Sequence, residues 1–155
     1  MPALSVTKFT GIEWNAIVAR SFFDTNILLY SDDGFDSRKN VIATDLIARH
    51  RASREAVLSI QVLQEYFVNA VSKLKVDVVL ARRRVELFSR FDLVLPDVAL
   101  LLSAIDLQRL NSISFWDAMI VQAARVAGCA TLFSEDLNAG QTIAGVKIVN
   151  PFVAR

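Results

Sequence analysis

The stretch Ser21-Phe22-Phe23-Asp24-Thr25-Asn26-Ile27-Leu28-Leu29-Tyr30 decides how the chain is read. Two adjacent phenylalanines without a helical period read as the end of a buried strand. Asp-Thr-Asn interrupts the apolar run, and Ile27 to Tyr30 resume it as a short helix. A strand that ends in a carboxylate and passes straight into a helix puts that carboxylate at the carboxyl edge of a sheet, where open parallel sheets hold their ligands. A plainer reading stands beside this one: Asp24 or Thr25 caps the helix by accepting hydrogen bonds from its orphan N–H groups.

Outward from that stretch, strands and helices alternate. Ser31-Asp32-Asp33-Gly34 is a turn by composition. Ser37 can cap a helix that carries Val41, Ile42, Leu46 and Ile47 and ends in Arg49-His50-Arg51, followed by Arg54. Cations suit a helix C-terminus, so this stretch reads either as a solvated end or as a rim that contacts phosphates; His50 reads as a surface residue. Ala56 to Ile60 is a second strand. From about Gln61 to Leu74 a helix carries an apolar stripe of Leu63, Tyr66, Phe67, Ala70, Val71 and Leu74, with Gln61, Gln64, Glu65, Asn69 and Ser72 on the other side. Another helix spans Asp77 to Ser89. Phe91 to Leu95 is a third strand, and Val98, Leu101, Leu102, Ile105 and Leu110 line the helix that follows. Ser114-Phe115-Trp116-Asp117 opens the next helix in the form of a capping box, serine followed three residues on by an acid. Gly128 to Phe133 is a fourth strand running into Ser134-Glu135-Asp136, and Val146 to Val149 is a fifth. Such alternation implies an α/β fold of three layers, a central and mainly parallel sheet of four to five strands flanked by helices. Residues 1–19 show no period and no chemistry and are set apart as a leader; residues 20–155 form the domain.

The totals narrow the chemistry. Lys+Arg number 17 and Asp+Glu 16, so net charge gives no sign of nucleic-acid binding and any such binding rests on local patches. Cys129 and His50 are the lone cysteine and histidine, which excludes internal disulfides, thiolate zinc sites and His-rich metal sites. No apolar run approaches the ~18 residues of a membrane span, and a cytoplasmic protein is the expectation. Hydrophobic residues make up 54% of the chain, above the ~45–50% usual for soluble domains; the excess fits a well-covered sheet and an apolar face kept for a partner subunit.

Four acids then draw together. Asp24 ends the first strand, Asp136 follows the fourth, and Glu65 and Asp117 lie in early turns of helices. In a parallel fold these positions share one rim. Carboxylates brought that close raise one another's pKa, and a divalent cation removes the conflict. Oxygen-only ligands favour Mg²⁺ or Mn²⁺ over zinc, and a cation so held activates water against a phosphodiester. Each acid also has a plain reading: Glu65 as a helical residue favoured by the dipole, Asp117 as the acid of the capping box.

Phe22-Phe23-Asp24-Thr25-Asn26, Gln64-Glu65, Phe115-Trp116-Asp117-Ala118 and Ser134-Glu135-Asp136-Leu137 resemble, in order and spacing, the acidic motifs of PIN-domain ribonucleases, most closely the VapC toxins of VapBC toxin–antitoxin pairs. That resemblance spans about Arg20 to Phe152. It implies that Asp24, Glu65, Asp117 and Asp136 are the metal-site acids and that Thr25, Asn26 and Ser134 orient ligands or the attacking water. It implies Mg²⁺-dependent endonucleolytic cleavage of RNA, restraint by a cognate VapB-like antitoxin, and a homodimer. Arg49, Arg51 and Arg54 are the candidates for RNA backbone contact. Glu135 departs from the pattern as an added acid. A haloacid-dehalogenase-like phosphatase requires an aspartate where Asn26 stands, and a receiver domain fits poorly because Asp92 precedes the core of its strand. A PIN-like module that binds RNA or protein without turnover is the alternative from another class.

Overall fold

A computed structural model describes residues 19–153, which leaves the leader, apart from Ala19, outside the described residues. The elements follow in the order β1 (Ser21–Phe23), α1 (Thr25–Asp32), α2 (Ser37–Ser53), β2 (Ala56–Ser59), α3 (Ile60–Ser72), α4 (Val78–Phe88), β3 (Asp92–Val94), α5 (Val98–Leu110), α6 (Phe115–Val126), β4 (Thr131–Phe133), β5 (Thr142–Ile143) and β6 (Val146–Val149). Every helix among the described residues begins on an aspartate or serine whose side chain accepts from a first-turn N–H: Asp24, Asp36, Ser59, Asp77, Asp97 and Ser114. At α2 the cap is Asp36, bonded to the Lys39 N–H at 3.0 Å, and the expected cap Ser37 is the first helical residue.

The sheet runs β3-β2-β1-β4-β6-β5 and is parallel throughout except for the β5–β6 pair. From β1 the chain steps through β2 to β3 in one direction, then returns past β1 to β4 and β6. Right-handed crossovers therefore place α1–α4 on one face and α5–α6 on the other. Packing agrees: α1 lies on α2 and α3, α3 on α4, and α6 is wedged between α5 and strands β2, β4 and β6. The sheet has one strand more than expected. β5 has two residues and joins β6 through Ala144 and Gly145, at φ 51° and 82°, the left-handed pair of a tight hairpin.

Two outcomes differ from the sequence reading. His50 is buried, 2% exposed. It stands edge-on to Phe23 and Phe133, with ring centroids 5.2 and 5.5 Å away, and its Nδ1 is 2.9 Å from the Leu46 carbonyl. A basic neighbourhood suggested a surface position, but the α2 face that carries Ala43 and Ile47 also carries His50 one turn on. On α5 the residues turned to the core are Leu100, Ala104 and Leu107, whereas Val98, Leu101, Leu102 and Ile105 face outward.

His50→Ala removes a ring packed on both central strands. Stability should fall by about 2 kcal/mol or more, in the range of large-to-small core changes, as read by urea denaturation. A change within 0.5 kcal/mol, the scale of an ordinary surface substitution, would show that the ring carries no packing.

Candidate active site

The order of strands puts a topological switch between β1 and β4, and ligand clefts form at such points on the carboxyl edge. Phe23 is in register with Phe133, and the Asp24 N–H donates to the Phe133 carbonyl at 3.0 Å. Asp24 is thereby set beside Ser134. The Ser134 hydroxyl donates to Asp24 Oδ2 at 2.7 Å, and the Thr25 N–H donates to Oδ1, also at 2.7 Å. Asp24 and Ser134 are both buried. Asp24 thus caps α1 and also forms the floor of the cleft; the two readings of this residue hold together.

The cleft has a volume of about 180 Å³, and Asp24, Glu65, Asp117 and Asp136 all line it, with Thr25 and Asn26. Neutral donors separate the acids. Glu65 accepts from the Thr25 hydroxyl and from the Gln61 amide, each at 2.8 Å. Asp136 accepts from the Asn26 amide at 3.0 Å, and its own N–H donates to the Ser134 hydroxyl at 3.2 Å. Asp117 is tied to the Ser114 cap: its backbone N–H donates to the Ser114 hydroxyl at 3.0 Å, and that hydroxyl, rather than the Ser114 N–H of a full capping box, donates to its carboxylate at 2.8 Å. Glu135, in contrast, points away. Lys39 of α2 binds its carboxylate, and the same ammonium donates to the Tyr30 hydroxyl at 2.9 Å. That pairing removes the extra acid from the cleft, while the Glu135 N–H donates to the Asn26 side-chain oxygen at 3.3 Å.

Burial pushes the Asp24 carboxyl up from 3.8 to about 6; the Ser134 and Thr25 hydrogen bonds oppose this, and the charges of Asp136 and Glu65 add to it. Desolvation is the main cause, and the repulsion expected of converging carboxylates is the smaller part of the rise. The donor set of carboxylates, a hydroxyl and an amide is all-oxygen and fits a hard divalent cation. Among the described residues no three His, Cys, Asp or Glu side chains are grouped closely enough to hold an ion by themselves, because each outer carboxylate is drawn to its own donor. Cys129 is buried at 5% exposure with its thiol pushed up to about 11 by desolvation, so it offers no nucleophile.

Arg49, Arg51 and Arg54 are not brought to this cleft. Arg54 ends α2 immediately before β2, at the amino edge of the sheet, across the strands from Asp24. The cleft instead takes Gln61, Asn69 and Lys73, which lie outside the motifs, and Trp116, which a motif contains without giving it a role. Gln61, Glu65, Asn69 and Lys73 follow at intervals of four, a signal present in the sequence. Gln64, quoted with Glu65 in the motif, lies on another face of α3, in an apolar groove lined by Ile60, Leu63, Phe67, Arg82 and Val85.

A parallel α/β domain with an acid-lined cleft at its switch point is the class that fold and site define. The PIN domain family model matches residues 21–142, and the chain belongs to that family. Solved structures similar to it include Mycobacterium tuberculosis VapC20, a sarcin-ricin loop cleaving toxin, with 19% identity over 75% of this chain and 89% of that one at a TM-score of 0.59. VapBC2 from Rickettsia felis, bound to a DNA fragment from its promoter, gives 14% identity over 83% and 96% at 0.60. FitAB bound to the IR36 DNA fragment gives 17% over 87% and 97% at 0.63. No curated protein matches at the sequence level.

The raised Asp24 pKa carries a sign. Folded Asp24 holds its proton to about pH 6 and the free carboxyl to 3.8. Its burden on stability is therefore absent below about pH 4 and nearly full above about pH 6, on the order of 3 kcal/mol by linkage. Asp24→Asn should raise metal-free stability by that order at pH 7.5, with the gain vanishing toward pH 4. Urea titrations in EDTA at both pH values test this, and equal stabilities at pH 7.5 would contradict it.

Proposed function

We propose that the chain is a metal-dependent endoribonuclease that hydrolyses RNA phosphodiester bonds, and that it is the toxin of a toxin–antitoxin pair. The observation that carries this reading is the convergence of Asp24, Glu65, Asp117 and Asp136, from four distant points of the sequence, on one cleft. Mg²⁺ or Mn²⁺ would supply an acidified water and charge stabilisation at the phosphate. Mg²⁺ takes only one or two carboxylates directly and keeps several waters, which suits acids that are spread around a cleft rather than clustered.

In this reading Asp24 is the ligand fixed by the backbone, with Ser134 and the Thr25 N–H locking its orientation. Thr25 and Gln61 aim Glu65, Ser114 aims Asp117, and Asn26 aims Asp136. Binding a cation favours the ionised form of Asp24, so proton and cation would compete for this carboxylate near pH 6, and loading would relieve the burden that its burial places on the fold. Hydrolysis then requires no nucleophile from the protein.

The toxin assignment draws support from family membership and from neighbours that are themselves toxin–antitoxin proteins. A VapB-like antitoxin is the proposed restraining partner. A cytoplasmic location is proposed, as the compartment in which such a toxin would meet its RNA; no described helix is long and apolar enough to cross a membrane. A homodimer is proposed through α5. Val98, Leu101, Leu102 and Ile105 recur at helical spacing, and Val98 and Leu102 are 69% and 57% exposed. Such an outward stripe marks an interaction face.

Wild type should cleave structured RNA only with Mg²⁺ or Mn²⁺. Asp24→Asn, Glu65→Gln and Asp117→Asn should each lower the rate at least a hundredfold while circular dichroism is unchanged, in keeping with loss of metal-centred charge stabilisation. Undiminished cleavage by Asp24→Asn, or cleavage in excess EDTA, sinks the assignment. For the dimer, Leu102→Glu should shift the sedimenting species from dimer to monomer; a wild-type chain that is already monomeric at high concentration refutes the proposed interface.

A further inference from the structure

The residues that line the cleft beyond the acids are arranged along a line. On α3, Gln61, Glu65, Asn69 and Lys73 lie at successive intervals of four and all line the cleft, a polar stripe that runs about 18 Å at 1.5 Å per residue. Its ends differ in chemistry. At the first end the Gln61 amide donates to the Trp116 carbonyl at 3.3 Å. Trp116 lines the cleft there and leaves 61% of its surface exposed, its indole steadied edge-on by Phe115 at 5.0 Å. At the other end is Lys73, about 12 Å along the helix from Glu65, exposed and without an ion-pair partner among the described residues.

Packing does not account for Trp116. A large aromatic left in solvent beside a cluster of carboxylates shields nothing, and neighbouring Ala118, Met119 and Ile120 fill the core from the same helix. Bases stack on exposed aromatics whatever their identity, and a lysine is a point contact for phosphate. The spacing leaves room for the acids between the two.

We infer that Trp116 is a stacking platform for an unpaired RNA base and Lys73 a phosphate contact on the other side of the acids. Together they thread the strand along α3 with a phosphate over Asp24. The inference rests on the nuclease reading and adds to it two substrate-positioning residues and the line along which the strand lies. A duplex cannot use the platform, because its bases are already stacked inside the helix.

Binding of a short, unstructured, fluorescein-labelled RNA is measured by anisotropy in an Asp24→Asn background, which prevents cleavage, at a fixed low Mg²⁺ concentration across a KCl series. Adding Trp116→Ala should weaken binding roughly tenfold without altering the salt slope, and Trp116→Phe should recover most of the loss. Adding Lys73→Gln should make the slope of log K against log salt shallower, by up to about 0.7 for one lost phosphate contact on a single strand. Unchanged affinity in the alanine variant, an unchanged slope in the glutamine variant, equal affinity for a duplex of the same sequence, or no binding by the background protein each overturns the inference. Wild-type and Asp24→Asn cleavage, measured in parallel, reports separately on the nuclease reading.

Discussion

One buried carboxylate constrains the rest. Asp24 sits where the sheet is deepest, 5% exposed, and it is held there by a hydroxyl from β4's end and an N–H from its own helix. Burying an ionised carboxylate is costly unless hydrogen bonds stand in for water, and two short ones only partly do so here, since the pKa still rises. The β1–β4 register is the device that makes this possible. A slip of one residue would turn Phe22 and Phe23 to opposite faces and move Ser134 away from the carboxylate. The pair Phe23 and Phe133, stacked at 5.5 Å with His50 against both, fixes that register from beneath. The apolar floor and the polar rim are thus one construction.

The same economy explains why capping and site chemistry do not exclude each other. Asp24 caps α1, and Asp117 is tied to the Ser114 cap, yet both line the cleft. A helix N-terminus collects orphan N–H groups and positive potential, which steady a carboxylate wherever it must later bind a cation. Interleaved donors from Thr25, Gln61, Asn26 and Ser114 keep the acids apart. Lys39 performs the complementary task by holding Glu135 outside the cleft, so the local excess of negative charge stays with the acids that line it.

The alternation of strands with helices and the strand-end position of Asp24 were legible because both are written in local order. Hydrophobic periodicity reports that a stripe exists without saying which way it faces. On α5 the stronger stripe, Val98 to Ile105, faces outward, and the small residue Ala104 sits in the core because α6 approaches closely there. His50 departs from its expected surface position for a related reason: its arginine neighbours are exposed, but burial is decided by angle around the helix. The β5–β6 hairpin escaped notice since Ala144 occupies a left-handed position where Asn, Asp or Gly is the usual signal. Trp116 and Lys73 became visible only once the α3 stripe had a cleft to face.

The outward stripe on α5 bears on the site although it lies on the other side of the sheet. α6, which carries Asp117, is buried from Ala118 through Ala124 and is clamped between the strands and α5. Whatever fixes α5 therefore fixes the angle at which α6 presents Asp117. In a monomer α5 leaves apolar side chains in water on one face and packs Leu100, Ala104 and Leu107 into the core on the other. A second subunit seated on that stripe, as proposed, would bury it and stiffen the pair. Assembly and the placement of the one acid that comes from this side of the sheet would then depend on the same helix, and Glu65 would feel it only through Gln61, which bonds both Glu65 and the Trp116 carbonyl.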